Sequence, residues 1–500
     1  MVINMKSRLI YIATVILLLL AATGFNLIDT NQGRLRYWQH KEAKIPVEEK
    51  PKADFVTHLP IVSIDTGGEE LLWITSNRRL FNSQNELLYQ NYTGDRGILT
   101  RDCTISIISG EGAWHTLQDT PDVTEHAAVR IRGNSSKWFY KKSYMVHILD
   151  EDGSRKNVSV MGMSKASEWV LNGPCLDRTL IRNYLCYNVS GQIMEYAPDV
   201  RFCEVFLNGE YRGVYLMVEA ITRDEGRINL TKTGESQDVT GWLVRWDRER
   251  KRDTPVDNYT YYSLQAGVSG MDLRYPGKDT LTPGKLDFVE SDVSRIERAI
   301  YSSDISDKKK GYQAYLDVEA FAQYFVINEF FGNVDAGRFS TYLYKDVRGK
   351  VVPVVWDFNN ACNNYIDYVY GGGGFNMNQS PWFGRLLHDR TFVKEVITQY
   401  RRLRKSVLSD EYLERMVDDT IAYLGDAIER NYEVYGFVFE EKESDTVNYL
   451  NPMERNYSSY EEAVAQLKSW MKIRGAWMDA HIESLLQYCQ DSKNAAQIID

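Results

Sequence analysis

The chain has 500 residues, a formal net charge of −10 at pH 7, and apolar and charged contents of 43% and 26%. The length permits two or three domains with sizeable cores, and the ordinary composition excludes a largely disordered chain. The acidic balance argues against a nucleic-acid-binding protein, which usually has a basic surface. None of the six cysteines belongs to a CxxC pair, which argues against a zinc ribbon and favours buried free thiols.

The N-terminus predicts a targeting segment. Lys6 and Arg8 precede an uncharged apolar run over residues 9–22, which is slightly shorter than the roughly 20 residues of a full membrane span. We therefore predict a signal peptide or signal anchor over residues 1–25, with the following residues outside the cytoplasm. Residues 26–55 are polar and charged, and this composition predicts a linker.

Residues 56–220 predict a β-rich lobe because short apolar runs alternate with turn residues. A predicted strand at residues 128–131 stops at a loop of small polar residues, and a second strand resumes at Lys142. Such a loop beside a lysine is typical of phosphate binding through backbone N–H groups and hydroxyls, but also of an ordinary hairpin with a polar tip. The loop residues concerned are Arg132, Gly133, Ser135 and Ser136.

Two further elements of this lobe carry charged residues of interest. Asp177 is a good N-cap for a helix that carries Arg182. An arginine there pairs with a phosphate or a carboxylate in a cleft, or lies in solvent, and the pattern leaves both alternatives open. Asn208-Gly209 lies between two strand-like runs and predicts a type I′ hairpin whose second strand ends at Glu219.

Residues 221–500 predict a mainly helical lobe that also contains a strand at residues 241–246, followed by a charged loop at residues 248–253. Its predicted helices include residues 318–331, with Asp317 as the N-cap, and residues 410–430.

The stretch 325–364 of this lobe carries two acids on neighbouring loops. Asp335 follows a predicted helix, and Asp357 follows the apolar run VVPVVW. Two carboxylates on adjacent loops hold a divalent cation together, or act as one base and one metal ligand. The four glycines at residues 371–374 predict a flexible loop that is able to cover a site.

Five stretches occur in a characteristic order. They are RIRGNSSKWFYKK at residues 130–142, Trp169–Asn172 with Arg182-Asn183, VFLNGEYRGVYLMVE at residues 205–219, Asn328–Tyr344, and Trp356-Asp357-Phe358. In this order they resemble the CotH family of spore-coat-type protein kinases, over about residues 56–400. The resemblance implies an α+β, atypical protein-kinase-like bilobal fold, with a β-rich N-lobe at residues 56–220, a helical C-lobe at residues 221–500, and a nucleotide cleft between them.

The resemblance also implies an activity, its cofactors and its residues. The implied reaction transfers the γ-phosphoryl group of ATP to serine or threonine hydroxyls of a protein, with Mg²⁺ or Mn²⁺. Asp335 and Lys142 would be catalytic, and the implied metal ligands are Asp357, Asn359 and Asp335. The implied nucleotide-binding residues are Arg132, Gly133, Ser135, Ser136, Lys142, Arg182 and Glu219. Family members commonly have WDFD or WDYD, whereas this chain has WDFN, so Asn359 removes one negative charge.

The expected partners are a surface or coat protein as substrate and the membrane through the N-terminal segment, in the bacterial cell envelope or spore coat, and no nucleic acid. The main alternative is a catalytically impaired ATP-binding or scaffold protein of the envelope or spore coat. Asn359 and the scarcity of ATP outside cells favour it. A carbohydrate-active envelope protein also suits the paired acids, provided that these lie about 5–10 Å apart astride a sugar-binding cleft.

Overall fold

The computed structural model describes residues 36–110, 112–249, 254–364, 371–440 and 449–490. The signal segment predicted at residues 1–25 lies outside these residues. Gln39–Glu42, within the range predicted as a linker, form helix α1. The buried Gln39 accepts from the backbone N–H of Phe202 at 2.6 Å and donates to its carbonyl at 3.1 Å. Among the described residues, no helix has both the length and the apolar character needed to cross a membrane.

Ten strands of the described residues precede residue 220. They are β1 (Ile61–Asp65), β2 (Trp73–Ile74), β3 (Leu80–Phe81), β4 (Leu87–Tyr89), β5 (Arg101–Ile108), β6 (Val123–Arg132), β7 (Ser143–Ile148), β8 (Glu168–Asn172), β9 (Val200–Leu207) and β10 (Glu210–Glu219). Seven of them close a barrel in the order β1-β5-β6-β7-β8-β10-β9, and β2, β3 and β4 form a small separate sheet. The predicted Asn208-Gly209 turn joins β9 to β10, with the positive φ at both residues that a type I′ turn requires.

Alternation along the strands separates the barrel interior from its outer face. Arg130 and Arg132 of β6 lie on the outer face, where Arg130 is paired with Met145 of β7. Met145 packs against the large core that also contains apolar residues of the second part of the chain, so this face of the barrel is turned toward that part. The interior residues of β6 and β7 are Ala127, Val129, Ile131, Tyr144, Val146 and Ile148.

A second sheet lies in the part of the chain that the sequence predicted as mainly helical. It has the order β12-β11-β13-β14 and is antiparallel throughout. The sequence predicted a strand at residues 241–246 and missed the partner strand β12. Its strands are β11 (Trp242–Arg248), β12 (Ser269–Tyr275), β13 (Thr341–Lys345) and β14 (Val352–Val354).

Helices make up most of the rest of the described chain after residue 280. They are α3 (Pro283–Tyr301), α4 (Val318–Phe330), α5 (Pro381–Leu386), α6 (Arg390–Arg404), α7 (Asp410–Leu424), α8 (Ala427–Tyr435) and α9 (Tyr460–His481). An earlier helix, α2 (Arg182–Ser190), lies between β8 and β9. A strand-rich first part and a helix-rich last part confirm the predicted α+β class at this level. The predicted helix at residues 318–331 is confirmed, and Asp317 caps it by accepting from the N–H of Ala320 at 3.0 Å.

Two helix boundaries were predicted wrongly. The helix expected after Asp177 begins only at Arg182, because Leu180 has a φ of +65° that a helix does not admit. Asp177 nevertheless binds the backbone N–H groups of Thr179 and Arg182, so it stabilises the approach to the helix. A single helix expected over residues 410–430 is broken at Gly425, whose φ is +48°.

Candidate functional site

Asp357 lies in the loop that follows β14, and its backbone has a φ of +58°. A positive φ is uncommon for a residue with a side chain and persists only where the surroundings hold it. Helix α2 keeps this backbone conformation in place through two hydrogen bonds. The N–H of Asp357 donates to the hydroxyl of Tyr187 at 3.0 Å, and the N–H of Phe358 donates to Oδ1 of Asn183 at 2.8 Å. The loop is thus fixed to a buried helix.

The carboxylate of Asp357 is contacted by Asn359. Nδ2 of Asn359 donates to Oδ1 of Asp357 at 2.6 Å, and the backbone N–H of Asn359 approaches the same oxygen at 3.3 Å. Oδ1 of Asn359 accepts from Nδ2 of Asn183 at 2.8 Å. The hydrogen bonds that described residues make to this carboxylate therefore all end on Oδ1.

Asp335 lies in the loop after α4 and is 7% exposed. Nη2 of Arg248 donates to its Oδ1 at 2.8 Å, and Nδ2 of Asn360 donates to its Oδ2 at 2.9 Å. Strand β11 therefore contributes a cation to one oxygen, and the loop that carries Asp357 contributes an amide to the other. The two acid-bearing loops are joined directly by this second hydrogen bond.

Three carboxylates act on one another in this region. Burial raises the pKa of Asp357, and Arg132 opposes this effect. The charges of Asp335 and Asp247 raise the same pKa. Burial also raises the pKa of Asp335, while Arg248 lowers it and Asp247 raises it. The structure therefore brings the predicted pair of acids together and adds Asp247 of β11.

Asp247 was missed because it fell between a predicted strand at residues 241–246 and a predicted charged loop. In the structure β11 continues to Arg248, and Trp246 is buried in the core. Period-two alternation then places Arg245 and Asp247 on the opposite face of the strand. The pattern WLVRWDR carries this signal, since Arg245 and Asp247 flank the apolar Trp246.

Arginines from both sheets act on the same two side chains, His147 and Tyr342, and we call these arginines the arginine cleft after the nucleotide cleft that the family resemblance implies. Burial lowers the pKa of His147 on β7 to about 4, and nearby arginine charges add to this effect. Burial raises the pKa of Tyr342 on β13, and arginine charges oppose it. The guanidinium carbon of Arg132 lies 5.7 Å from the centroid of the Trp356 ring. The arginines of the cleft are Arg130 and Arg132 of β6, Arg245 of β11 and Arg274 of β12.

Lys142, the predicted catalytic lysine, has its described contacts at one end of the barrel. Its Nζ donates to Oδ1 of Asn85 at 2.5 Å and to the carbonyl of Lys137 at 2.6 Å, and it lies 5.5 Å from the centroid of the Trp73 ring. Burial lowers the pKa of Lys142 to about 8. These contacts do not bring its ammonium group to the two acids, and its catalytic role stays a prediction.

Glu219 and Arg182 are also engaged with protein groups. Glu219 is fully buried, accepts from the N–H of Asp199 at 3.0 Å and lies 3.9 Å from Nε of Arg227. Arg182 forms a buried ion pair with Asp177 and donates to Oε1 of Gln466 at 2.9 Å. Of the partners that the sequence left open for Arg182, the structure therefore shows a carboxylate, that of Asp177. The nucleotide-binding roles of both residues stay predictions.

The predicted phosphate loop has a backbone suited to its glycine. Gly133 has a φ of +110°, and a Cβ there would lie 1.8 Å from Oγ of Ser136. Ser135 begins a short 3₁₀ turn that ends at Trp138, and its side chain is exposed. The loop therefore follows Arg132 directly and leaves a hydroxyl on the surface of the molecule.

The predicted flexible loop at residues 371–374 is held in place. Nη1 of Arg474 donates to the carbonyls of Gly372 and Gly374 at 2.9 and 2.6 Å. The same arginine is fully buried and paired with Glu329 at 2.9 Å. The local sequence did not indicate these hydrogen bonds, because the arginine lies a hundred residues further along the chain.

Comparison with protein-family models matches the chain to the CotH kinase protein model over residues 129–478. This match covers most of the chain. The protein belongs to the CotH kinase protein family. A search of the curated proteins found no match. The CotH match includes Arg132, Asp335, Asp357 and Asn359, and the family description supports a kinase at the level of the family.

Proposed function

We propose that this CotH family member is a protein kinase that transfers the γ-phosphoryl group of ATP to serine or threonine hydroxyls of a surface or coat protein. The observation that carries the proposal is the convergence of Asp335, Asp357 and Arg132 on one region. Phosphoryl transfer requires positioned charges more than covalent chemistry by the protein, because charge is redistributed over the transferred group. Acids for a cation and arginines for phosphate oxygens meet this requirement.

In this proposal the barrel acts as the N-lobe, and the second sheet with its helices acts as the C-lobe. The triphosphate occupies the arginine cleft, where β6 contributes Arg132 from one side and β11 contributes Arg245 from the other. Arginine is suited to this task because its planar donors match phosphate oxygens. Asp335 and Asp357 would then act on the γ-phosphoryl group.

The acids suit Mg²⁺ or Mn²⁺ bound together with nucleotide. Within the described residues, no group of three or more His, Cys, Asp or Glu side chains has the geometry of a complete metal site. Magnesium usually takes one or two carboxylates and completes its shell with phosphate oxygens and water. The charges of Asp335 and Asp247 raise the pKa of Asp357, and a bound cation would offset this repulsion. Asp357 and Asp335 would hold the ion, which neutralises phosphate charge.

Asp335 is also suited to orient the acceptor hydroxyl and to take its proton. Its pKa is raised by burial, which brings the carboxylate closer to the range in which a general base is effective near neutral pH. Arg248 keeps one of its oxygens in place at 2.8 Å. Both a base and a metal-ligand role for Asp335 belong to the proposal.

Lys142 would contribute to phosphate binding indirectly, through the loop that follows Arg132. By donating to the carbonyl of Lys137 it holds the 3₁₀ turn at residues 135–138 against the barrel end. Gly133, Ser135 and Ser136 of this loop then approach the phosphates. Glu219 and Arg182 support the lobes from buried positions through their ion pairs.

The substrate and the location are proposed from the family resemblance and from the N-terminal sequence. The family resemblance supports a coat or envelope protein as substrate, and the apolar run at residues 9–22 supports export or membrane attachment. A basic surface for nucleic acid is not expected with a net charge of −10.

Labelled ATP tests the proposal on the full-length protein with Mg²⁺ or Mn²⁺. Casein and the chain itself serve as acceptors, and transfer is followed for the wild type, Asp357→Ala and the exposed control Asp279→Ala. We expect metal-dependent labelling of serine or threonine in the wild type and the control, and its loss in Asp357→Ala. Equal labelling in all three proteins would exclude the metal role of Asp357.

Asn359 favours a second candidate, an ATP-binding scaffold that no longer transfers phosphate. Its side chain provides no negative charge, and its oxygen already accepts from Asn183. Tight, metal-dependent ATP binding without labelling of any acceptor in the same assay would favour the scaffold over the kinase.

A further inference from the structure

We propose that Asn183 and Asn359 are positioning residues that orient the carboxylate of Asp357 for metal binding. This inference rests on the proposed function. It assigns to Asn359 a donor role toward Asp357 in place of a direct metal-ligand role. The side chains form a chain of hydrogen bonds that starts on the barrel and ends on the acid, which we call the asparagine relay; it consists of Asn172, Asn183, Asn359 and Asp357.

The relay begins at the end of β8. Oδ1 of Asn172 accepts from Nδ2 of Asn183 at 3.2 Å, and both asparagines are buried. A buried amide is costly unless its donors and acceptors are bound, so the relay has a defined structure rather than a loose one. It connects the barrel, helix α2 and the loop of Asp357.

Asn183 uses both ends of its amide in this connection. Its Oδ1 accepts from the backbone N–H of Phe358, while its Nδ2 donates to Oδ1 of Asn359 at 2.8 Å. A backbone N–H is always a donor, so it fixes which end of Asn183 is oxygen. The nitrogen of Asn183 must then face Asn359, and it fixes the oxygen of Asn359 in turn.

The orientation of Asn359 follows from this constraint. With its oxygen turned to Asn183, its Nδ2 donates to Oδ1 of Asp357 at 2.6 Å. The oxygen that a metal would require of Asn359 is therefore already bound to another amide. Asp357 is left with Oδ1 occupied by N–H donors, so Oδ2 is the oxygen that a cation would take.

The relay also explains what the change from WDFD to WDFN does in this chain. An aspartate at position 359 accepts from Asn183 but has no side-chain N–H for Asp357, and it would oppose Asp357 with a like charge. The side-chain amide of Asn359 instead donates to Oδ1 of Asp357 at 2.6 Å and adds no like charge. The asparagine thus fixes the orientation of the carboxylate and leaves its Oδ2 for a cation.

Binding of Mn²⁺ alone, followed by electron paramagnetic resonance of the free ion from pH 5 to 8, tests the relay. Asn183→Asp keeps the size of the side chain but removes the N–H that faces Asn359, so the amide of Asn359 turns its oxygen toward Asp357. We expect about tenfold weaker Mn²⁺ binding at pH 6 and a midpoint of the pH dependence shifted upward by about one unit. Gln192→Glu, an exposed amide-to-acid change just after α2, should bind as the wild type does.

Asn359→Ala is the second variant, because its half-buried site tolerates truncation if Asn183→Asp does not fold. It should also weaken Mn²⁺ binding and raise the midpoint. Unchanged Mn²⁺ affinity and midpoint in folded Asn183→Asp or Asn359→Ala would overturn the relay. Failure of the proposed function is distinguishable: a wild type that binds Mn²⁺ and ATP without transferring phosphate loses the kinase activity but keeps the relay. A wild type that binds no Mn²⁺ either alone or together with ATP overturns both.

Discussion

Arg248 and Asp335 are joined by an ion pair of 2.8 Å that links strand β11 to the loop after α4. The pair connects segments almost ninety residues apart in the chain. It also opposes the effect of burial on the pKa of Asp335. The second sheet therefore influences the charge on this acid, against the larger effect of burial.

Removing this guanidinium should move the pH dependence of phosphoryl transfer. In Arg248→Met the pKa of Asp335 loses its opposing charge and rises, so a base that must be ionised works only at higher pH. We expect the acidic limb of the pH–rate profile to shift upward by about one unit. Asp247→Asn removes a charge that raises the same pKa, so its limb should shift downward. Shifts in the same direction for both variants would contradict the electrostatic account.

Arg132 and Lys142 should differ in their effects on nucleotide binding. Arg132→Met removes a cation of the arginine cleft, and we expect the Kd for Mn²⁺-ATP to rise about 10- to 100-fold. Lys142→Met should change this Kd much less, because Nζ of Lys142 is bound to Asn85 and Lys137. Isothermal titration measures both values. A larger rise in Kd for Lys142→Met than for Arg132→Met would show that the lysine contacts the phosphates directly.

Lys141 should make stability depend on pH. Its Nζ donates to Oδ1 of Asn431 at 2.6 Å between two tyrosine rings, and burial lowers its pKa from 10.5 to about 7. Between these values the unfolded chain binds a proton that the folded chain does not, so stability rises with pH, by at most about 1.4 kcal/mol per unit.

Urea unfolding of Lys141→Met at pH 7 to 9 measures this contribution. The variant should gain less stability with rising pH than the wild type, although Lys142 contributes a smaller rise of the same sign because its pKa is also lowered. The exposed control Lys472→Met should keep the wild-type slope. Identical slopes for Lys141→Met and the wild type would show that Lys141 stays charged when folded.

Breaking the buried ion pair of Glu329 and Arg474 should reduce stability more than breaking an exposed ion pair. Arg474→Met leaves the carboxylate of Glu329 without its cation and frees the carbonyls of Gly372 and Gly374. We expect a loss of about 3–5 kcal/mol in the free energy of unfolding. Arg415→Met, which breaks an exposed pair with Glu411, should cost less than about 0.5 kcal/mol. Equal losses in the free energy of unfolding for the two variants, measured by urea titration, would contradict the expected effect of burial.

Local signals in the sequence were sufficient for some elements. Asn208-Gly209 fixes a turn through its own backbone preferences, and Asp317 caps the helix that follows it. Asp335 and Asp357 lie close together because the intervening hairpin of β13 and β14 returns the chain to the same place. A reader of the sequence can infer all of these from neighbouring residues.

Other parts of the site depend on pairing between distant segments. Asp247 enters through β11, whose pairing with β13 joins residues a hundred positions apart. The Lys142 side chain is oriented by its hydrogen bond to Asn85, which belongs to the separate small sheet. No local sequence pattern predicts this contact. The relay likewise requires Asn183 of α2 to meet Asn359, and the sequence indicated only that both lay in family-like stretches.

The position of Mn²⁺ and a non-hydrolysable ATP analogue in crystals of the protein tests the central claim most directly. Anomalous scattering from manganese identifies the ion without assumptions about the nucleotide. We predict manganese within coordination distance of Oδ2 of Asp357, with the triphosphate against Arg132 in the arginine cleft. Manganese away from both Asp335 and Asp357, or a nucleotide outside the arginine cleft, would contradict the account.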